Sequence, residues 1–354
     1  MKGLILSGGR GTRLRPITHT SAKQLVPVAN KPILFYGLEA IVEAGITEIG
    51  IVVGDTHAEI KEAVGDGSRF GAKVTYIQQS APLGLAHAVK ESRPFLKEDP
   101  FVMYLGDNFL REGITGFVKE FEQHRPDAQI LLVPVPNPQD FGVAELEGER
   151  VKRLEEKPKA PRSNLALVGV YMFTNSVWPA IDGIEPSKRG ELEITDALQW
   201  LIDHGKTVRS HVITGWWKDT GKLEDMLEAN RMAMSHWTTR IDGEVDKASV
   251  VEGAVVIEKG AKVVRSRLRG PLILGPGVVV EDAYVGPFSA IAEGARISRA
   301  EIEHSIVLER SVIEDVPTRI DSSLIGKDVI VTKSPDRPRA HHIMVGDSSR
   351  VELA

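Results

Sequence analysis

The chain has 354 residues, 42% of them apolar and 26% charged, ordinary values for a folded protein of two domains that exclude a disordered, collagen-like or coiled-coil chain. Acids outnumber bases 49 to 44 for a net charge of −5, and no dense Lys/Arg block stands out, which argues against nucleic acid as a partner. Cysteine is absent, so disulfides, thiol nucleophiles, iron–sulfur clusters and thiolate zinc sites are excluded. Residues 1–9 are too weakly apolar for a signal peptide, and no apolar run reaches bilayer length. The expectation is a soluble, cytoplasmic protein with no membrane partner.

Short apolar runs alternate with helix-period segments from Lys2 to Met234, which predicts an α/β domain with a mostly parallel sheet. A first strand is expected at 3–6. A helix at 31–44 has Pro32 near its start, Leu34, Leu38, Ile41 and Val42 on one face, and Gly45 closing it. Strands follow at 48–53 and 101–105, the second running into Gly106-Asp107-Asn108. That puts an acid at a strand's carboxyl end, where open α/β sheets bind ligands. Further strands are expected at 130–135, 166–173 and 209–213, and helices at 193–204 and 222–234.

Helix periodicity stops after His236, and Val, Ile, Gly and Pro accumulate. Ile273, Val279, Val285, Ile291 and Ile297 recur every six residues, as do Val251, Ile257 and Val263 upstream; small residues recur at Ala261, Ala283, Ser289 and Ala295. One inward aliphatic per short strand and a small corner residue describe a parallel β-helix. The longer interval from Val263 to Ile273 predicts one loop bulging from it. The expected division is a domain at 1–235, a linker at 236–247, a β-helix at 248–333 and a tail at 334–354, extended around Pro335 and Pro338.

Three glycines follow the first strand in Leu6-Ser-Gly-Gly-Arg-Gly-Thr-Arg-Leu-Arg-Pro16, so backbone N–H groups can approach an anion, with Arg10, Arg13, Arg15 and Lys23 supplying positive charge. The dinucleotide fingerprint G-x-G-x-x-G fails at Leu14, and no P-loop is present.

The glycine turn, Ala22-Lys-Gln-Leu-Val-Pro27, Gly106-Asp-Asn108, Glu155-Glu-Lys-Pro158, Arg189-Gly-Glu-Leu-Glu-Ile-Thr-Asp196 and Trp217-Lys-Asp-Thr-Gly221 occur together and in order. This set resembles the sugar-1-phosphate nucleotidylyltransferases, and the repeat behind it resembles their long form. The resemblance implies a Rossmann-like nucleotidyltransferase domain followed by a left-handed parallel β-helix. The implied reaction is attack of a sugar-1-phosphate oxygen on the α-phosphorus of a nucleoside triphosphate, releasing pyrophosphate.

In that reading Asp107 and Asp219 hold Mg²⁺, Arg13 takes the leaving pyrophosphate, Lys23 neutralises the phosphates, and Lys157 and Arg189 hold the sugar phosphate. Leu6, Gly8, Gly9, Gly11, Thr12, Gln24, Gln79, Pro82 and Gly84 would line the nucleotide. A Gln amide offers a donor and an acceptor to the imide edge of thymine or uracil. Gln78 is the adjacent alternative to Gln79, and Gly84 would let the backbone approach the base. Asn108, Gly142, Glu156, Gly169, Tyr171 and Trp217 would contact the hexose, with a buried core role also open for Trp217. Lys23-Gln-Leu25 is closest to the thymidylyl branch, so the implied substrates are dTTP, with UTP as the alternative, and glucose 1-phosphate. The β-helix is expected to make a homo-oligomer. Acyl transfer through His304, or nucleotide-sugar sensing without catalysis, are the competing functions. His57 and His87 read as structural or surface residues.

Overall fold

The computed structural model describes residues 1–9, 11–148, 150–334 and 341–353. Arg10, Pro335 and Pro338 lie outside these described residues. The chain divides into two compact units. The first comprises Met1–Arg10, Ser21–Leu25 and Ile33–Asp219; the second comprises Gly11–Thr20, Val26–Pro32 and Thr220–Ala354.

The first unit is built on a nine-stranded sheet in the order Lys73–Gln78, Glu48–Val53, Lys2–Ser7, Phe101–Leu105, Leu165–Phe173, Ala128–Pro134, Val208–Val212, Arg150–Glu156, Gly142–Glu147. Among the described residues seven of these strands run one way, and Leu165–Phe173 and Arg150–Glu156 oppose them. The mostly parallel sheet expected from the alternating pattern is therefore present. Its central strands are covered on both faces, which is why they read as continuous apolar runs. Leu4 and Leu6 enter one core with Met103, Ile130 and Leu132; Ile5 enters the opposite core with Val102, Tyr104 and Leu131. Helix Ile33–Glu43 seals the second core with Leu34, Leu38 and Ile41. It starts later than expected, because Lys31–Pro32 pairs as a short strand with Pro27–Val28.

The second unit holds three parallel sheets, each built from successive coils, in the form of the left-handed β-helix read from the sequence. The repeat is tighter than a strict hexad. Val263 registers with Val280 and Val280 with Ile297, seventeen residues per coil. The inward ladder is Val251, Ile257, Val263, Leu268, Leu274, Val280, Val285, Ile291, Ile297 and Ile302, stepping by six, six and five. Ile273 and Val279 are therefore not the inward residues; Leu274 and Val280 are. The loop expected between Val263 and Ile273 does not form: strand Arg267–Arg269 occupies it and puts Leu268 in the core.

The expected linker at 236–247 is part of the first coil, since Arg240–Ile241 and Glu244–Val245 pair with Val255–Ile257 and Lys262–Val264. Helix Leu223–Met234 also belongs to the second unit. Its Asn230 accepts the Ala29 N–H at 2.8 Å and donates to Phe288 O at 2.8 Å, while Asn30 donates to Ile291 O at 2.8 Å. These side-chain amides tie 26–32 and the helix to the coils, a grouping that hydrophobic pattern does not encode.

Candidate active site

Strand Phe101–Leu105 delivers Asp107 past its carboxyl end, and the chain turns at once into strand Asn108–Leu110. This pairs antiparallel with Trp217–Asp219, register Asp219 to Asn108. Directly opposed residues in such a pair have Cα atoms about 4.5–5.5 Å apart. Asp219 thus stands across the two-stranded ribbon from Asn108, the residue that follows Asp107, so two aspartates remote in sequence lie at the same end of it. The Lys23 ammonium forms an ion pair with Asp107, and both side chains are largely shielded from water. Burial works to raise the Asp107 pKa, but the Lys23 charge and hydrogen bonds from Lys23 and Asn108 outweigh it, holding the carboxyl below its usual range. An ionised carboxylate with a second one close by is an oxygen-only donor set, which suits a hard divalent cation.

Asn108 ties this corner together. Its Nδ2 donates to Asp107 Oδ1 at 3.1 Å, while its Oδ1 accepts from Trp217 Nε1 at 2.6 Å and from Gly169 N at 3.2 Å. Gly169 lies in the stretch where the ladder of Leu165–Phe173 to Ala128–Pro134 shifts register, and just outside its pairing with Phe101–Leu105. A Cβ on Gly169 would lie 2.5 Å from Asn108 Oδ1. Trp217 is half-buried, edge-on to Phe141 at 5.6 Å. Its indole is a structural joint of the aspartate ribbon.

Around the glycine turn, Leu6 is buried, and Gly8 and Gly9 follow the first strand. Gly8 is packed so closely that a Cβ would stand 2.8 Å from Gln79 Oε1. Gln24 is 1% exposed, and its Oε1 accepts no hydrogen bond among the described residues. A buried acceptor without a partner is uncommon and fits a donor supplied by a ligand. Gln79 is half-buried, whereas Gln78 is exposed. Gln79 Nε2 lies 3.3 Å from Gly84 O and 3.2 Å from His87 Nδ1, so His87 has a polar partner that the sequence did not suggest. Pro82 is exposed. Gly84 has φ +107, and a Cβ there would fall 2.4 Å from Leu192 O, so the close approach this glycine permits is to the backbone at Leu192. Gly11, with φ +63, Thr12 and the exposed Arg13 lie in the segment that groups with the second unit.

The sugar-phosphate candidates converge on one carboxylate. Glu156 Oε1 is 3.7 Å from Lys157 Nζ and 3.5 Å from Arg189 Nη1, and Glu156 Oε2 accepts from Thr195 Oγ1 at 2.7 Å. Gly142 is paired with Glu156 across the sheet, and a Cβ on it would be 3.0 Å from Glu156 Oε2. Lys157 adopts φ +43, a conformation that non-glycine residues hold at a cost of about 1–3 kcal/mol. Tyr171 differs from its expected hexose contact: its side chain is 4% exposed, joins the core and stacks on Phe173 at 6.2 Å. Burial, and secondarily the charge of Glu156, pushes its phenol pKa up.

A model of the nucleotidyl transferase family matches residues 2–236. The chain belongs to the nucleotidyl transferase family. Along its full length it is 57% identical to a glucose-1-phosphate thymidylyltransferase of Streptomyces griseus, covering 100% of both chains. A second such enzyme, from Streptomyces antibioticus, is 56% identical, with 100% of this chain and 99% of that one covered. A solved structure from Bacillus anthracis, described as a glucose-1-phosphate thymidylyltransferase in complex with sucrose, superposes with a TM-score of 0.63 at 37% identity. It covers 66% of this chain and 95% of that one.

Within this nucleotidyl transferase, the residue-by-residue reading of the sequence missed Glu193 and Thr195, although both stand in the motif that supplied Arg189. Glu193 is 4% exposed and accepts from Ser187 Oγ at 2.9 Å, with Arg189 Nη1 at 3.4 Å. Burial raises its pKa, and the neighbouring Glu156 charge adds to the rise against the lowering effects of Ser187 and Arg189. Acids spaced at 191, 193 and 196 carry no signal of which is buried; only the packing of helix Ile194–Asp203 on the sheet decides it.

Proposed function

We propose that this nucleotidyl transferase moves a thymidylyl group from dTTP to glucose 1-phosphate, giving dTDP-glucose and pyrophosphate. The observation that supports the reading is the register of Asp219 against Asn108, next in the chain to the Asp107 that pairs with Lys23. The full-length similarity to thymidylyltransferases supports the choice of substrates. The attacking group is already an anion, so the reaction needs no protein nucleophile, only positioning and charge neutralisation. A sugar-phosphate oxygen forms a bond to the α-phosphorus while the bond from that phosphorus to the β-phosphate oxygen breaks, and pyrophosphate leaves.

Asp107 and Asp219 would hold Mg²⁺, which when bound supplies positive charge to the triphosphate oxygens. Lys23 would neutralise the oxygens beside the α-phosphorus, and Arg13 the leaving pyrophosphate. Lys157 and Arg189, both now resting on Glu156, would turn to the sugar phosphate, leaving Glu156 free for a hexose hydroxyl. Gln24 and Gln79 would read the imide edge of the base. Thymine and uracil differ by one methyl, worth about 1–3 kcal/mol in a pocket, so UTP would be a weaker second substrate. We assign the β-helix to self-association; Ile241 at 47% and Ile330 at 71% exposure lie on its first and last coils, where strand edges call for cover.

Pyrophosphate release measured with dTTP, UTP, dCTP, ATP and GTP, each with glucose 1-phosphate and Mg²⁺, tests the reading. Release with dTTP foremost and UTP second is expected. Release confined to the purine triphosphates would reject it.

A further inference from the structure

Gln79 can meet a base with its amide oxygen, its amide nitrogen or both, and the surrounding contacts select between them. Its NH₂ group carries two hydrogens. Gly84 O, which can only accept, lies 3.3 Å from Nε2, and His87 Nδ1 lies 3.2 Å from the same nitrogen. With the His87 proton on Nε2, Nδ1 accepts, and both amide hydrogens are then consumed within the segment 79–87. Gln79 Oε1 faces the other way, against Gly8 in the glycine turn. His87 stands on helix Leu85–Glu91 with its side chain 14% exposed; Glu91 Oε2 lies 3.6 Å from the same Nδ1, beyond hydrogen-bond range, so the contact at that nitrogen is the Gln79 amide at 3.2 Å. Glu91 in turn accepts from Ser80 N at 3.0 Å, which ties the residue after Gln79 to the same helix.

We infer that His87 is a positioning residue for base selection: by accepting one hydrogen of the Gln79 amide, it leaves Oε1 as the atom presented to the base. The inference rests on the proposed assignment of Gln79 to the nucleotide base. An acceptor at that point matches the N3–H donor of thymine and uracil. It opposes the N3 lone pair of cytosine. A Gln79 free to turn would offer NH₂ to cytosine instead, so the discrimination belongs to the pair of residues and not to glutamine alone.

The test compares kcat/KM for dTTP and dCTP, each with glucose 1-phosphate, in the wild type, His87→Phe, His87→Asn and Gln79→Ala. His87→Phe keeps a flat ring but removes the acceptor, and is expected to cut the dTTP preference by about tenfold, the value of roughly one hydrogen bond. The change should fall on KM, with kcat for dTTP within twofold. His87→Asn can set an amide oxygen near the place of Nδ1 and should restore most of the preference. His87→Phe added to Gln79→Ala should have no further effect. An unchanged preference in His87→Phe, or a loss that His87→Asn fails to restore at an unaltered melting temperature, overturns the inference while leaving the thymidylyl reading intact. A wild type with no preference for dTTP over dCTP overturns the base assignment itself, and this inference with it.

Discussion

Replacing Asn108 by Ala removes the joint between the two aspartates. The native side chain is 2% exposed and satisfies the Trp217 indole N–H at 2.6 Å and the Gly169 backbone N–H at 3.2 Å. A buried donor left unpaired costs about 1–3 kcal/mol, so losing both partners is worth about 2–6 kcal/mol, a large part of the roughly 5–15 kcal/mol that holds a domain folded. Asp107 loses its amide donor at 3.1 Å, and the Trp217–Asp219 strand loses the bond that anchors it beside Asp107. Denaturant unfolding should show a lower midpoint at an unchanged slope, and turnover should fall even under conditions where the variant is fully folded. Trp217→Phe removes one of the two orphaned donors, so Asn108→Ala should be less damaging in that background, by about 1–2 kcal/mol. A midpoint within experimental error of wild type, or strict additivity of the two substitutions, would refute the claim that Asn108 is a joint.

Asp107→Ala is expected to lower turnover by at least about 10²-fold at saturating Mg²⁺, as removal of a preorganised electrostatic group does; steady-state kinetics within a few-fold of wild type would contradict this. Gly84→Ala puts a Cβ 2.4 Å from Leu192 O at φ +107 and should destabilise the first unit by about 2–4 kcal/mol, read from the unfolding midpoint. Glu193 has a raised pKa in the folded chain, so the folded state favours its neutral form. Its contribution is therefore complete below the unfolded carboxylate pKa and declines as pH rises through the folded value. Glu193→Gln removes that decline, and the stability difference between variant and wild type should grow in the variant's favour as pH is raised from 4 toward neutrality. His304 sits exposed at a coil corner, 3.1 Å from Asp321 and stacked on Phe288 at 5.5 Å, with Arg319 occupying the adjacent Glu303 at 3.0 Å. His304→Ala should leave pyrophosphate release unchanged.

The buried central strands were legible because they are continuous apolar runs: Glu48–Val53 and Phe101–Leu105 fall where the pattern put them. Strands at the margins of the sheet were not. Lys73–Gln78 at one edge alternates only weakly, and Arg150–Glu156, next to the opposite edge strand Gly142–Glu147, carries exposed charges, so neither stands out from loop. The strict six-residue spacing does not hold because every third step along the inward ladder is five residues, and Ile273 beside the inward Leu274 is as apolar as its neighbour. At the site, Asp107 was visible from its strand end. Its juxtaposition with Asp219 depends on a three-residue pairing that no local pattern encodes. The functions of Gly84 and Gly169 in close backbone approach, and the contact of His87 with Gln79, likewise emerge only from tertiary packing.

The most direct test of thymidylyl transfer between the two substrates is ³¹P NMR of the wild type with dTTP, glucose 1-phosphate and Mg²⁺, alongside Asp219→Ala. The wild type should convert the α-phosphorus of dTTP and the phosphorus of the sugar into one pyrophosphate diester, with free pyrophosphate appearing in equal amount, and Asp219→Ala should leave both reactants standing. Formation of thymidine monophosphate and pyrophosphate at a rate indifferent to glucose 1-phosphate would contradict the account.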